Sequence, residues 1–353
     1  MAARPRSALA LVLALLAGAL VVVAGCGGGG QKVSSSTPVD QLLQQTFSGD
    51  KQVKSGVMDL SLRLESQGGS SPLGGPLSLR LSGPFESQGA GKLPKFDLDA
   101  DVQAGGQDIT AGITSTADKG YVSFRGTNYL ISDQVWSQFR QGYEQSQSQS
   151  KSSQGQSLSA LGIDPRHWLT HPRNAGESKV GDDDVIRITG GVDVSKLLDD
   201  VNTLIEKGRA LGGPAAKNAP RKLTPQEKQQ ALQAIHNPSV EIDTGKHDAT
   251  LRRALVSFGV DIPKTAQTAA QTAKVSIDLK LTNLNESQDI SAPSNPKPFS
   301  QLLQGIDALL GSATGGATSG GVNQGNLKRY SDCVNNAGGD TAKARKCADL
   351  LTP

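Results

Sequence analysis

The spacing of hydrophobic residues changes along the chain, and each change marks an expected structural element. After the N-cap signal Thr37-Pro38, apolar residues recur at helical spacing, which predicts a helix over about 38–48. From Met58 onward the period becomes two. The apolar members of these alternating runs are Met58, Leu60, Leu62 and Leu64, then Leu77, Leu79 and Leu81, then Phe96, Leu98, Ala100 and Val102, then Ile109, Ala111 and Ile113. Alternating runs separated by Gly-rich turns predict an antiparallel meander with one apolar and one polar face.

Shorter runs extend this predicted sheet. They lie at 121–124, 129–131, 185–188, 240–242, 251–258 and 275–281. Amphipathic helices are expected between them. One carries Trp136 and Phe139 on one side, and one follows the N-cap Asp193 and carries Leu198 and Val201. A third follows the capping box Thr224–Glu227 and is expected to end near Pro238, and a fourth covers about 296–310. The sequence therefore predicts an α+β fold in which helices cover the apolar face of an antiparallel sheet.

The N-terminal segment has the order of parts found in export signals. A basic head is followed by an apolar run over 8–24 and by Val23-Ala24-Gly25-Cys26. Small residues directly before a cysteine resemble the lipobox of bacterial lipoprotein precursors, in which the cysteine thiol receives a diacylglycerol. We therefore expect a signal peptide over 1–25, lipid attachment at Cys26 and a flexible tether over 26–37. The alternative is an uncleaved transmembrane anchor with an incidental cysteine.

The C-terminal segment is predicted to be a separate helical hairpin over 326–353, after a Gly/Ser/Thr linker over 311–325. Cys333 and Cys347 lie symmetrically about its Gly338-Gly339 break, as a disulfide between antiparallel helices requires. Closing so short a loop contributes about 3 kcal/mol in the loop-entropy model. The alternative is a pair of free thiols.

Composition and motifs argue against catalysis. Hydrophobic residues make up 36% and aromatic residues 4% of the chain, and the formal net charge is +3, which gives no basic surface for nucleic acid. His167 and His171 have an i, i+4 spacing, but no glutamate lies between them and Pro172 follows at once. The run Asp182-Asp183-Asp184 is interpreted as an acidic tight turn rather than a calcium site. No nucleophile, phosphate or dinucleotide motif occurs, so we expect no enzyme activity, no metal and no cofactor.

Three short segments suggest a family. Lys119–Phe124, Asp164–Leu169 and Val240–Phe258 resemble the mycobacterial LppX/LprG-type lipoproteins and, more distantly, the LolA-like carriers, over about 38–310. The Gln/Ser-rich tract after residue 145 and the C-terminal tail depart from that pattern. The resemblance implies a curved antiparallel sheet, a half-barrel, that wraps helices and leaves an apolar cavity for the acyl chains of envelope lipids.

The expected function follows from these points. It is a non-enzymatic lipoprotein, anchored outside the cytoplasm by its N-terminal diacylglycerol, that binds or carries acyl lipids or glycolipids. The expected cavity-lining residues are Leu60, Leu62, Leu79, Leu81, Leu98, Val122, Phe124, Trp136, Phe139, Leu198 and Val201. If the helices fill the apolar face completely, no cavity exists. The alternative function is then an extracytoplasmic interaction, sensor or scaffold module, with the C-terminal tail as a docking element for an envelope protein.

Overall fold

The fold is described by a computed structural model. It describes residues 32–47, 53–67, 77–89, 91–104, 106–149, 165–211, 221–262, 271–302 and 333. The predicted signal peptide, Cys26, the linker over 311–325 and nearly all of the tail lie outside these residues. Cys333 is disulfide-bonded, but its partner is not among the described residues, so the pairing with Cys347 stays a prediction.

A 12-stranded sheet dominates the described part of the chain. The strands are β1 (Ser55–Gln67), β2 (Leu77–Glu86), β3 (Lys95–Ala104), β4 (Gln107–Ser115), β5 (Gly120–Phe124), β6 (Thr127–Leu130), β7 (Leu169–Val180), β8 (Asp183–Val192), β9 (Ile235–Gly245), β10 (Leu251–Ile262), β11 (Gln271–Thr282) and β12 (Lys297–Pro298). Their order is β12-β6-β5-β4-β3-β2-β1-β11-β10-β9-β8-β7, so the sheet does not close. All neighbours are antiparallel except β12 and β6.

A few helices accompany this sheet. They are α1 (Val39–Phe47), α2 (Asp133–Gln149), α3 (Pro165–Trp168), α4 (Val194–Leu211) and α5 (Pro225–Ala234), and backbone at 299–302 is also helical. The α+β prediction is confirmed at this level. No helix within the described residues has the length and apolar character needed to span a membrane.

Cross-strand register confirms that the predicted apolar residues share one face. Leu60 of β1 lies opposite Leu81 of β2 and opposite Leu279 of β11. Leu279 in turn lies opposite Ala254, and Ala254 lies opposite Ile242 of β9. Residues that face each other on neighbouring strands point to the same side of a sheet. The alternation seen in separate sequence runs therefore adds up to one continuous apolar surface.

Helix α1 covers this surface at the β8 to β10 side. Leu42 and Leu43 are buried in a cluster with Ile186, Ile188 and Ile242. The hydroxyl of Thr46 donates to the carbonyl of Leu42 and lies 2.7 Å from the hydroxyl of Thr244. Buried polar groups need such partners.

The chain joins the fold before the expected start of α1. Val33 is only 3% exposed, and its backbone N–H donates to the carbonyl of Lys246 at 3.0 Å. The amide of Asn174 donates to the carbonyls of Ser35 and Thr37. The last residues of the predicted tether are thus packed against β7 and the β9–β10 turn.

Ion pairs join the strands on the polar face. Asp243 is 0% exposed and receives two hydrogen bonds from Arg187, at 2.8 and 3.0 Å. Arg253 binds Asp278 in the same two-pronged way, at 2.7 and 3.0 Å. Charge-assisted pairs of this geometry are stronger than single neutral hydrogen bonds, and they link β8 to β9 and β10 to β11.

The structure differs from the sequence prediction at two places. Strand β7 was not predicted, because an edge strand with water on its free side needs no apolar alternation. The helix after the capping box was expected to run to about Pro238, but α5 ends at Ala234 and β9 begins at Ile235. Pairing of the next residues with β8 and β10 takes them into the sheet. The capping box itself is confirmed.

Candidate functional site

A group of buried residues from adjacent strands forms the candidate site. We call it the leucine face, and it consists of Leu60, Leu62, Leu79, Leu81, Leu98 and Val275 with the half-buried Leu64, Val102, Phe258, Val260 and Ile277. These residues come from β1, β2, β3, β10 and β11. Among the described residues, no helix residue belongs to either of the two clusters that make it up.

Burial on the leucine face decreases toward one end of the strands. Leu60 and Leu62 are buried, whereas Leu64, the next residue of β1 on this face, is half-buried. On β3 the same change occurs from Leu98 to Val102, and Ile109, opposite Val102 on β4, is 40% exposed. We call this end, where β1 and β3 finish and β2 and β4 begin, the open end.

Four residues of the leucine face were missed in the sequence, although each lies in an alternating apolar run. Phe258, Val260, Val275 and Ile277 were not among the expected lining residues. Cross-strand pairing places Ile277 opposite Leu62, and Val275 opposite Leu64 and Phe258. Their alternation was visible in the sequence, but the pairing of β11 with β1 was not, because these strands are far apart along the chain.

Trp136 is positioned by contacts at the other end of the sheet. Its ring is buried with Leu93 and Ile131, and its indole N–H donates to the carbonyl of Ala117 at 3.1 Å. The ring lies directly against Gly120, where an added Cβ would be 2.1 Å from Cε3. A glycine is required at this position because the indole occupies the space of a side chain.

The remaining expected lining residues are distributed over separate places. Val122 is half-buried against the Trp136 cluster, and Phe124 is half-buried with the Arg125 guanidinium 5.4 Å from its ring centre. Phe139 is 50% exposed. The residues Leu198 and Val201 are buried on α4, which contacts α2, α3 and α5. The structure thus brings the five expected strand leucines together, while the other expected lining residues lie in other environments.

A separate groove of about 260 Å³ lies on the polar face over β1 to β4. Polar side chains surround it, including Arg63, Arg80, Asp101 and Asp108, and Leu79 is the only expected lining residue that reaches it. The Arg80 guanidinium donates two hydrogen bonds to the Asp59 carboxylate, at 2.8 and 3.2 Å. This pairing raises the pKa of Arg80. The groove lies at the open end, and Val102 of the leucine face and Ile109 also line it.

Titratable groups in the described part of the chain are mostly engaged in structural pairs. Burial, followed by the charges of Asp97 and Asp101, raises the pKa of Asp99 on the polar face. His167 lies in α3 and His171 in β7, so their spacing is not that of one helix. No group of three or more potential metal ligands occurs within the described ranges. What the site can do chemically is provide apolar contact area.

The site therefore belongs to a protein with a large open antiparallel sheet whose apolar face is partly covered by helices. No family model and no curated protein matches the chain. It is similar to the solved structure of LprF from Mycobacterium bovis, with 11% identity, a TM-score of 0.33 and coverage of 74% of this chain and 99% of that one.

Two further solved structures are similar. The Mycobacterium tuberculosis lipoprotein LppX has 12% identity, a TM-score of 0.34 and coverage of 72% of this chain and 100% of that one. A LolA superfamily protein from Nitrosomonas europaea has 7% identity, a TM-score of 0.18 and coverage of 73% and 99%. These are the protein groups that the sequence resembles.

Proposed function

We propose that this protein is a membrane-anchored bacterial lipoprotein that holds the acyl chains of a lipid or glycolipid against the leucine face and catalyses no reaction. The observation that carries the proposal is the leucine face itself. It is built from strand residues, and its burial decreases toward the open end. We infer that an acyl chain reaches the leucine face from this less buried end.

Apolar contact alone can supply the affinity. Each methylene transferred from water contributes about 0.8 kcal/mol, so ten methylenes contribute about 8 kcal/mol before the entropy of binding is subtracted. No polar residue at a particular position is required. This agrees with a sequence that carries no binding motif.

The anchoring part of the proposal rests on the lipobox-like segment ending at Cys26. Diacylglycerol on this cysteine would keep the domain outside the cytoplasm and beside a bilayer. Intact-mass measurement of the membrane-extracted protein tests it, because acylation adds the mass of the lipid to a chain that starts at residue 26. Peptide mapping without reduction tests the proposed pairing of Cys333 with Cys347 in the tail.

The lipid-binding part is tested by native mass spectrometry of the protein purified from a bacterial host. Ile277 belongs to the leucine face, and its neighbour Ser276 lies on the polar face, opposite Arg63. The wild type is expected to carry acyl lipid. Ile277→Glu is expected to lose it, because a carboxylate among acyl chains must be desolvated without a partner. Ser276→Glu adds the same charge on the other side and is expected to retain the lipid.

A wild-type protein that is consistently empty would contradict this function and favour the scaffold alternative. Equal lipid occupancy in both variants would show that lipid lies elsewhere on the molecule. Far-UV circular dichroism of each variant establishes that the sheet is retained.

A further inference from the structure

The place where the tether reaches the fold defines a second end of the sheet. We call it the tether end, where β9 ends at Gly245, β4 ends at Ser115 and β5 begins at Gly120. The antiparallel register puts these three points at the same end of the strands, although β9 lies six strands from β4 in the sheet order. The backbone N–H of Val33 donates to the carbonyl of Lys246, directly after β9. The chain from Cys26 to Val33 reaches at most about 25 Å when fully extended.

The first two turns of α2 lie at this same end. Trp136 donates its indole N–H to Ala117, which lies in the turn between β4 and β5. One turn later, Arg140 forms an ion pair with Asp118 of the same turn, at 3.1 Å. Both contacts hold α2 at the tether end, beside the turn between β4 and β5.

The outer side of α2 at this point is apolar. Val135 is 44% and Phe139 50% exposed. Their i, i+4 spacing places them on the same side of the helix. Trp136 is buried, and its ring centre lies 5.3 Å from that of Phe139. Among the described residues, the other large exposed hydrophobic side chain is Ile109, at the open end. Scattered exposed hydrophobics need no explanation, but two neighbouring ones on a single helix face form a patch.

We propose that Val135 and Phe139 form a bilayer-contact site that enters the headgroup–acyl boundary of the membrane to which the chain is anchored. The proposal rests on the proposed anchoring at Cys26, because the short tether keeps the tether end within reach of that membrane. Phe139 is then a membrane contact and not a cavity-lining residue.

Charges of both signs surround the patch. Lys92, beside the buried Leu93 of the Trp136 cluster, and Lys119 are exposed, and so are Asp118 and Asp133. Arg140 is half-buried and forms its ion pair with Asp118. Because these charges largely cancel, burial of apolar area carries the proposed attraction.

The test uses the mature chain carrying Cys26→Ser, so that no acyl anchor masks the contribution of the patch. Its partition onto vesicles of equal amounts of phosphatidylcholine and phosphatidylglycerol is measured by flotation. Phe139→Ser is expected to lower the partition coefficient about tenfold, and Val135→Ser by a smaller factor. Ile109→Ser removes a comparably exposed hydrophobic residue at the open end and is expected to leave partition unchanged.

Native mass spectrometry of the same variants separates this proposal from the proposed function. Phe139→Ser is expected to keep its co-purified lipid. The bilayer contact is overturned if the parent chain does not partition, if Phe139→Ser partitions like the parent, or if Ile109→Ser lowers partition equally. It is also overturned if Phe139→Ser loses bound lipid at unchanged partition, which would return the residue to the cavity. An empty parent chain that still partitions through Phe139 would end the lipid-holding function and leave the bilayer contact standing.

Discussion

Replacement of Gly120 by alanine tests how α2 is attached to the sheet. An added Cβ would lie 2.1, 2.3 and 2.6 Å from three ring atoms of Trp136, well inside ordinary carbon–carbon contact of about 3.5 Å or more. The indole is rigid and buried against Leu93 and Ile131, so it must leave its place. Overpacking of a filled core costs about 1–3 kcal/mol. Loss of the hydrogen bond from Trp136 to Ala117 adds about 1 kcal/mol.

We therefore expect Gly120→Ala to lower the free energy of unfolding by about 2–4 kcal/mol. Urea denaturation measures this loss, and near-UV circular dichroism reports the displaced indole. Gly142→Ala is the control, because nothing lies within 4 Å of its added Cβ and alanine favours an exposed helix by up to about 1 kcal/mol over glycine. If Gly120→Ala matched the wild type in both measurements, the packing of Trp136 on Gly120 described above would be incorrect.

Two further predictions concern charged pairs. Arg187→Met leaves the fully buried Asp243 without its two-pronged partner and should lower the free energy of unfolding by about 3–5 kcal/mol in thermal or urea unfolding. The double variant that adds Asp243→Asn should recover part of this loss. If it recovers nothing, an uncompensated charge is not the cause of the loss. Hydrogen bonds from Arg221 and then Thr224 lower the pKa of Glu227 from 4.5 to about 2. Its stabilisation is thus complete above about pH 4.5 and disappears as the pH falls through about 2. Because the pair is solvent-exposed, Glu227→Gln should cost no more than about 1 kcal/mol at neutral pH, and a difference from wild type that persisted undiminished at the lowest pH would contradict this linkage.

Local sequence signals determined much of the fold. Alternation of apolar residues identified most strands and the face that each buries, since successive side chains of a strand point to opposite sides. The capping box at Thr224 located the start of α5 because it depends only on residues within one turn. The leucines of β1 and β2 were identified as candidate lipid contacts because their alternation alone puts them on one face.

Other features were decided only by tertiary structure. The pairing of β1 with β11 brings Leu62 beside Ile277, and no local pattern encodes a contact between such distant segments. Strand β7 forms because β8 offers it a free edge. Similarly, α2 was recognised as amphipathic, but only its packing on Gly120 decided that Trp136 is buried while Phe139, in contact with the Trp136 ring, is 50% exposed. Periodicity specifies which side of an element is apolar, whereas the partner that covers that side is set by the three-dimensional arrangement of the whole chain.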